Sequence, residues 1–99
     1  MYAVIFRARL AELDDTYFST AEKLRALAME EYGCKEFVST TEGDSEIAIS
    51  YWDSEEQIRQ WKSDSEHLLA QGEGRAKWYQ SYHIQVVKIV REYTSSSET

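Results

Sequence analysis

Apolar and polar residues alternate from the start of the chain. Tyr2, Val4, Phe6, Ala8 and Leu10 share one face, while Ala3 and Ile5, then Arg7 and Arg9, occupy the other. A period of two with aromatic and β-branched residues predicts a strand over Tyr2–Leu10. The period then lengthens. Phe18, Ala21, Leu24, Ala28 and Tyr32 recur at helical spacing, with Glu22, Lys23, Arg25 and Glu30 facing away. Asp14 or Asp15 caps this helix at its start, and Gly33 supplies the left-handed residue that ends it. Lys35–Thr41 is a short strand centred on Phe37 and Val38. Glu42-Gly43-Asp44 is a hairpin turn, and Ser45–Trp52 returns as a strand, with Ile47, Ile49 and Tyr51 opposite Ala48, Ser50 and Trp52.

Asp53-Ser54 opens a second helical region. Ser54 with Gln57 matches a capping box, in which each side chain satisfies the other's backbone N–H. Ser63 with Glu66 matches another, so a break is expected near Lys62–Ser63, followed by a fresh helix through Leu68 and Leu69 to about Trp78. Gly72 and Gly74 within it each cost roughly 1 kcal/mol against alanine and predict a bend. Ser81–Tyr93 reads as the last and longest strand, with Tyr82, Ile84, Val86 and Val90 on one face and Val87, Ile89 and Tyr93 on the other. Residues 1–93 are expected to form one domain, and 94–99 (T-S-S-S-E-T) a disordered polar tail.

Strand–helix–strand–strand–helix–strand is the order of an α+β, ferredoxin-like β-α-β-β-α-β sandwich with a four-stranded antiparallel sheet. Helices cover one face of such a sheet. Here the other face is also apolar, through Ile5, Ile49, Val87 and Ile89, and an exposed apolar sheet face marks an interaction surface. The expected partner is a second copy, packed sheet to sheet, with the last strand reaching across to pair with it.

Composition narrows the classes. The chain has 99 residues, 42% of them hydrophobic and 13% aromatic, enough for a single folded core. Its net charge of −7 opposes a phosphate backbone and an anionic membrane surface, so neither nucleic acid nor membrane is an expected partner. No apolar run approaches the roughly 20 residues needed to span a bilayer. The opening M-Y-A-V-I-F-R-A-R-L has no basic lead or cleavage site, so we expect no signal peptide and a cytoplasmic location. A single cysteine, Cys34, fits a reducing compartment. No metal spacing such as H-x-x-x-H or C-x-x-C occurs, nor a G-x-G-x-x-G dinucleotide loop, and no metal or other cofactor is expected.

The pattern W-x5-H-L-L-A-Q-x-x-G-R-x-x-W-Y-x-x-Y-x-I-x-V-x-x-I-x-R-x-Y, running from Trp61 to Tyr93, joins E-E-Y-G-C (Glu30–Cys34) and Y-W-D-S (Tyr51–Ser54). With these the chain resembles the antibiotic biosynthesis monooxygenase (ABM) domain family over almost its whole length. The resemblance implies a dimeric α+β barrel made of two ferredoxin-like halves. It also implies activities among cofactor-independent oxygenases of polycyclic polyketides, quinol oxygenases and haem-degrading enzymes, although many members have no demonstrated activity. The haem-degrading branch carries an asparagine on its first strand, a tryptophan on its second helix, and a histidine about ten residues beyond. Trp61 fits the tryptophan. Ala8 stands where the asparagine would be, and Gln71 or Ala70 where the histidine would be, so haem degradation does not carry over.

What remains is a cofactor-independent monooxygenase of quinol or polycyclic phenolic substrates. His67, in the first turn of the expected third helix, is the candidate acid/base group. Trp61, Trp78, Tyr82 and Tyr51, with Tyr79 beside them, form an aromatic set suited to a flat aromatic or other small hydrophobic ligand, and equally able to serve as core. Trp52 and His83, taken as lying on neighbouring strands, line the opposite face or the dimer seam, or simply pack. Arg7, Arg9 and Arg75 hold a ligand anion or pair with the surplus acids. The alternative from another class is a non-catalytic homodimer that binds a small hydrophobic ligand or serves an assembly.

Overall fold

The computed structural model describes residues 1–71 and 78–96, and for 67–71 it describes the backbone alone. Six elements follow one another: β1 (Tyr2–Leu10), α1 (Asp15–Glu30), β2 (Glu36–Glu42), β3 (Ser45–Trp52), α2 (Glu55–Gln71) and β4 (Tyr79–Lys88). The strands form one antiparallel sheet in the order β2-β3-β1-β4. This is the ferredoxin-like α+β sandwich that the order of periods predicts.

The local chemistry explains the boundaries. Asp14 caps α1, its Oδ1 accepting from the Tyr17 N–H at 2.9 Å. The helix ends at Glu30, two residues before the expected Tyr32. Gly33, at φ +75°, then turns the chain so that the Cys34 N–H reaches the Ala28 carbonyl at 2.9 Å. Gly43, at φ +61°, opens the two-residue loop between the paired Glu42 and Ser45. Ser54 and Gln57 form the reciprocal cap of α2, at 3.2 and 3.3 Å.

Three expectations need correction. The α1 face that meets the sheet is Tyr17, Thr20 and Ala28, whereas Phe18 stands 60% exposed. Only the start of the stripe is shifted, from Phe18 and Ala21 to Tyr17 and Thr20, because Tyr17 can bury its ring and still satisfy its hydroxyl; Leu24, Ala28 and Tyr32 keep their expected inward side. The break at Lys62–Ser63 does not occur, for α2 is continuous from Glu55 to Gln71. Ile58, Trp61 and Ser65 continue one inward stripe across it, and the Lys62–Glu66 ion pair (2.8 Å) spans it. The Ser65 hydroxyl donates to the Trp61 carbonyl (2.7 Å) within the helix. The expected continuation with its two glycines lies outside the described residues. The last strand is Tyr79–Lys88 rather than Ser81–Tyr93. Its partner β1 begins at the chain start, and the ladder's last bond is from the Ile89 N–H to the Met1 carbonyl (3.0 Å). Residues 89–96 have no strand partner among the described residues.

The main core joins Val4, Ala28, Cys34, Trp52 and Ile58, with Trp61 and Phe37 packed against it. Trp52 is fully buried and its Nε1 donates to Ser50 Oγ at 2.8 Å. Trp52 therefore belongs to the helix side of the sheet. His83 pairs with Arg7 on the opposite side, and β1 lies between their two strands. That opposite side carries Ala3, Ile5, Ile49, Tyr51 and Val87 in adjoining register, with Val38 47% and Ile47 41% exposed.

Candidate functional site

Alternation sends Val4 and Phe6 of β1, Glu46 of β3, and Tyr82, Ile84 and Val86 of β4 to the helix side. The helices cover this side incompletely. A cavity of about 670 Å³ lies between it and the helices, within the range of small-molecule sites. Phe18, Leu24 and Arg25 of α1, Phe37 of β2, and Ile58 and Trp61 of α2 complete the wall. Tyr82, Ile84 and Val86, exposed by 42%, 38% and 44%, mark its open side along β4. The lining is mainly apolar; Tyr17, Glu46 and Tyr79 form a polar cluster, and Glu22, Arg25, Lys62 and Glu66 reach the cavity from the helices.

Three of the aromatic residues singled out from the sequence, Trp61, Tyr79 and Tyr82, line this cavity. Trp61 is held firmly: its Nε1 donates to the Leu24 carbonyl at 3.0 Å, and its ring lies 5.2 Å from Trp52 and 6.1 Å from Phe37. Tyr82 lies 6.1 Å from Phe6 in a stacked arrangement. Trp78 is buried in a second cluster with Leu10 and Tyr17, its ring edge-on to Tyr17 at 5.4 Å, behind the cavity wall. Tyr51 sits on the opposite face of the sheet, in register with Ala3 and Glu36. His67 lies on α2 between Trp61 and Gln71, and its side chain is outside the described residues. Arg9 pairs with Asp44 at 2.9 Å and Arg7 donates to Gln85 at 3.3 Å, both exposed and both away from the cavity. Arg75 is outside the described residues.

The polar end was not foreseen. A register shift between Arg9 and Leu10 on β1 sets Ser81 opposite Arg9 but Tyr79 opposite Leu10. The extra residue on β4 is a bulge, a device that re-aims side chains and is common beside functional sites. It brings Tyr79 onto the same side as Tyr82, 5.9 Å ring to ring, and edge-on to Phe6 at 5.6 Å. Tyr17 enters from the first turn of α1, and its hydroxyl donates to Glu46 Oε2 at 2.7 Å. Burial first, and then this bond to a carboxylate, push the Tyr17 phenol well above its ordinary value. Burial and the Glu46 charge likewise push Tyr79 up to about 12. Both phenols therefore stay protonated at neutral pH, and the Tyr17 hydroxyl is the donor to Glu46. Strict alternation along β3, with Trp52 marking the inward phase, was the signal that Glu46 faces inward.

The Cys34 thiol is buried, donates to the Glu36 carbonyl at 3.2 Å, and is pushed up chiefly by burial, so no reactive thiolate forms. Among the described residues, no group of three or more His, Cys, Asp or Glu could hold a metal ion. No helix among them is long and apolar enough to cross a membrane.

Comparison with known proteins gives a consistent picture. No family model matches the chain. An uncharacterised protein of Bacillus subtilis (strain 168), YqjZ, is 40% identical over 92 residues, covering 92% of this chain and 81% of that one. The jasmonate monooxygenase ABM of Pyricularia oryzae is 28% identical over 100 residues, covering 97% of this chain but 46% of that protein, so the chain spans less than half its length. Among solved structures, SnoaB, a cofactor-independent oxygenase from Streptomyces nogalater, superposes with a TM-score of 0.74 at 13% identity. That match covers 95% of this chain and 97% of the other, a likeness of fold.

Proposed function

We propose that the chain is a member of the antibiotic biosynthesis monooxygenase family, and that it is a cofactor-independent monooxygenase of a quinol or polycyclic phenol. The observation that carries the reading is the cavity of about 670 Å³, with Phe6, Phe37, Trp61 and Tyr82 in its wall and a small polar cluster at one end. A flat phenolic ring matches such a wall, because aromatic edges and faces pack against it while one or two polar groups fix its orientation.

In this reading the protein positions the ring, excludes water and moves a proton, and the substrate itself reduces dioxygen. One oxygen atom enters the ring carbon, the other leaves as water, and the quinol is oxidised to a hydroxyquinone. His67 is the acid/base group, Trp61 and Tyr82 are walls, and Trp78 supports the polar end from behind. Tyr51 belongs to the opposite face and so to the dimer.

The same proposal includes a homodimer. The sheet face of Ile5, Ile49, Tyr51 and Val87 is apolar, and residues 89–96 leave the sheet with Val90 82% and Tyr93 86% exposed. Both features are accounted for if two sheets pack face to face and the end of each chain pairs with its partner. A cytoplasmic location, with the thiol reduced, completes the reading.

Oxygen uptake with a panel of quinols and polycyclic phenols is the test. Uptake that needs the protein and falls by about 10²-fold or more in His67→Ala, the scale of acid/base catalysis, is expected. Binding of the panel without uptake would instead favour a non-catalytic ligand carrier.

A further inference from the structure

We propose that Glu46, clamped by Tyr17, is the specificity determinant of the cavity: it accepts a hydrogen bond from a hydroxyl group of the aromatic ligand, selecting neutral hydroxyarenes over their ethers and over aromatic carboxylates. This rests on the reading that the cavity holds an aromatic ring, and sharpens it to one ligand chemistry.

Three observations carry it. First, Glu46 is the acidic residue that the β3 alternation directs to the helix side, opposite Ala8, and it lines the cavity beside Tyr17, Tyr79 and Tyr82. Second, its carboxylate is anchored rather than free to swing. The Tyr17 hydroxyl grips Oε2 at 2.7 Å, and the Tyr17 ring is itself only 6% exposed between Trp78, Phe18 and Tyr79. Third, a carboxylate offers about four lone-pair sites across two oxygens, so the bond from Tyr17 leaves capacity for a ligand donor.

The surroundings decide what that donor is. Both nearby phenols are held protonated, so neither competes as an anion or as a base. Arg25 and Lys62 also line the cavity, from α1 and α2, and Lys62 is paired with Glu66 at 2.8 Å; beside Glu46 itself the neighbours are phenols, so its carboxylate repels a second anion there and gains from a neutral donor. Carboxylic acids and phenols differ by about six pKa units in water, so a carboxylate accepts the phenol's hydrogen bond without taking its proton. The role is therefore orientation and selection.

The test compares 1-naphthol, 1-methoxynaphthalene and 1-naphthoate, three ligands of one ring system, by calorimetry or by quenching of tryptophan fluorescence. The native protein is expected to bind naphthol about ten-fold tighter than the ether, with naphthoate weakest of the three. In Glu46→Gln the naphthol preference should shrink to about two-fold and the naphthoate penalty should vanish. Tyr17→Phe keeps the ring but removes the clamp, and should lower the naphthol-to-ether ratio several-fold. Equal binding of all three by the native protein, or unchanged ratios in Glu46→Gln, would overturn the proposal while leaving the cavity reading intact. Failure of every ligand, the ether included, would overturn both.

Discussion

Tyr17 and Phe18 sit side by side at the start of α1, and only one of them can face the sheet. Helical spacing is nearly as well served by either, which is why periodicity alone set the first turn of the stripe one residue off. The choice is made by the hydroxyl. Tyr17 finds Glu46 and is buried, whereas Phe18, which has no such tie, stands 60% exposed at the cavity mouth. Removing that hydroxyl in Tyr17→Phe should lower stability by about 1.5–3 kcal/mol at neutral pH, the usual contribution of a hydrogen bond to a charged group, measured by urea unfolding. The same variant should change the alkaline profile. Tyrosine ionises near pH 10 in an unfolded chain, while Tyr17 and Tyr79 stay protonated to higher pH when folded, Tyr79 up to about 12. Above about pH 10 the unfolded state thus binds fewer protons, and stability falls with rising pH. That contribution is complete below pH 10 and is lost as pH climbs through the folded values. Urea midpoints taken between about pH 9 and 11 should therefore drop less steeply in Tyr17→Phe than in the native protein.

Elements were legible where a local signal and the tertiary demand agreed. The Ser54–Gln57 cap, the Gly43 hairpin and the β1 alternation all stand as read, because each is satisfied within a few residues. The supposed cap at Ser63 failed because capping chemistry is also compatible with a helix interior, and the buried stripe of Ile58, Trp61 and Ser65 favours continuity. The bulge before Ser81 could not be read from a period of two, and it is what adds Tyr79 to the site. At the α1–β2 connection, Gly33 is required twice over. Its φ of +75° is left-handed, and a Cβ there would lie 2.9 Å from Gln57 Nε2, a member of the α2 cap. Gly33→Ala should cost about 1–2 kcal/mol from backbone strain alone, and chemical denaturation should show it as a lowered midpoint with an unchanged slope.

At the level of the whole molecule, one sheet serves two unlike surfaces. Its helix side holds the core and the cavity, and its other side presents Ile5, Ile49 and Val87 with nothing among the described residues laid over them. Stable protein pairs bury about 800 Å² on each partner, and a face of this kind is the place for it. Sedimentation velocity should find a dimer at micromolar concentration. Ile49→Glu, which sets a charge in the centre of that face, should yield a folded monomer by the same method, with its far-ultraviolet spectrum retained. A native monomer would remove the dimer from the account without touching the cavity.

The central claim, that a ring bound beside Trp61 reduces dioxygen with only the protein around it, is tested most directly by the fate of the oxygen atoms. Turnover of a quinol under heavy-isotope dioxygen, followed by mass spectrometry of the product, should show one heavy oxygen atom per product molecule, from protein stripped of metal and flavin. Product oxygen drawn from water, or turnover that appears only when a metal or flavin is added back, would contradict it.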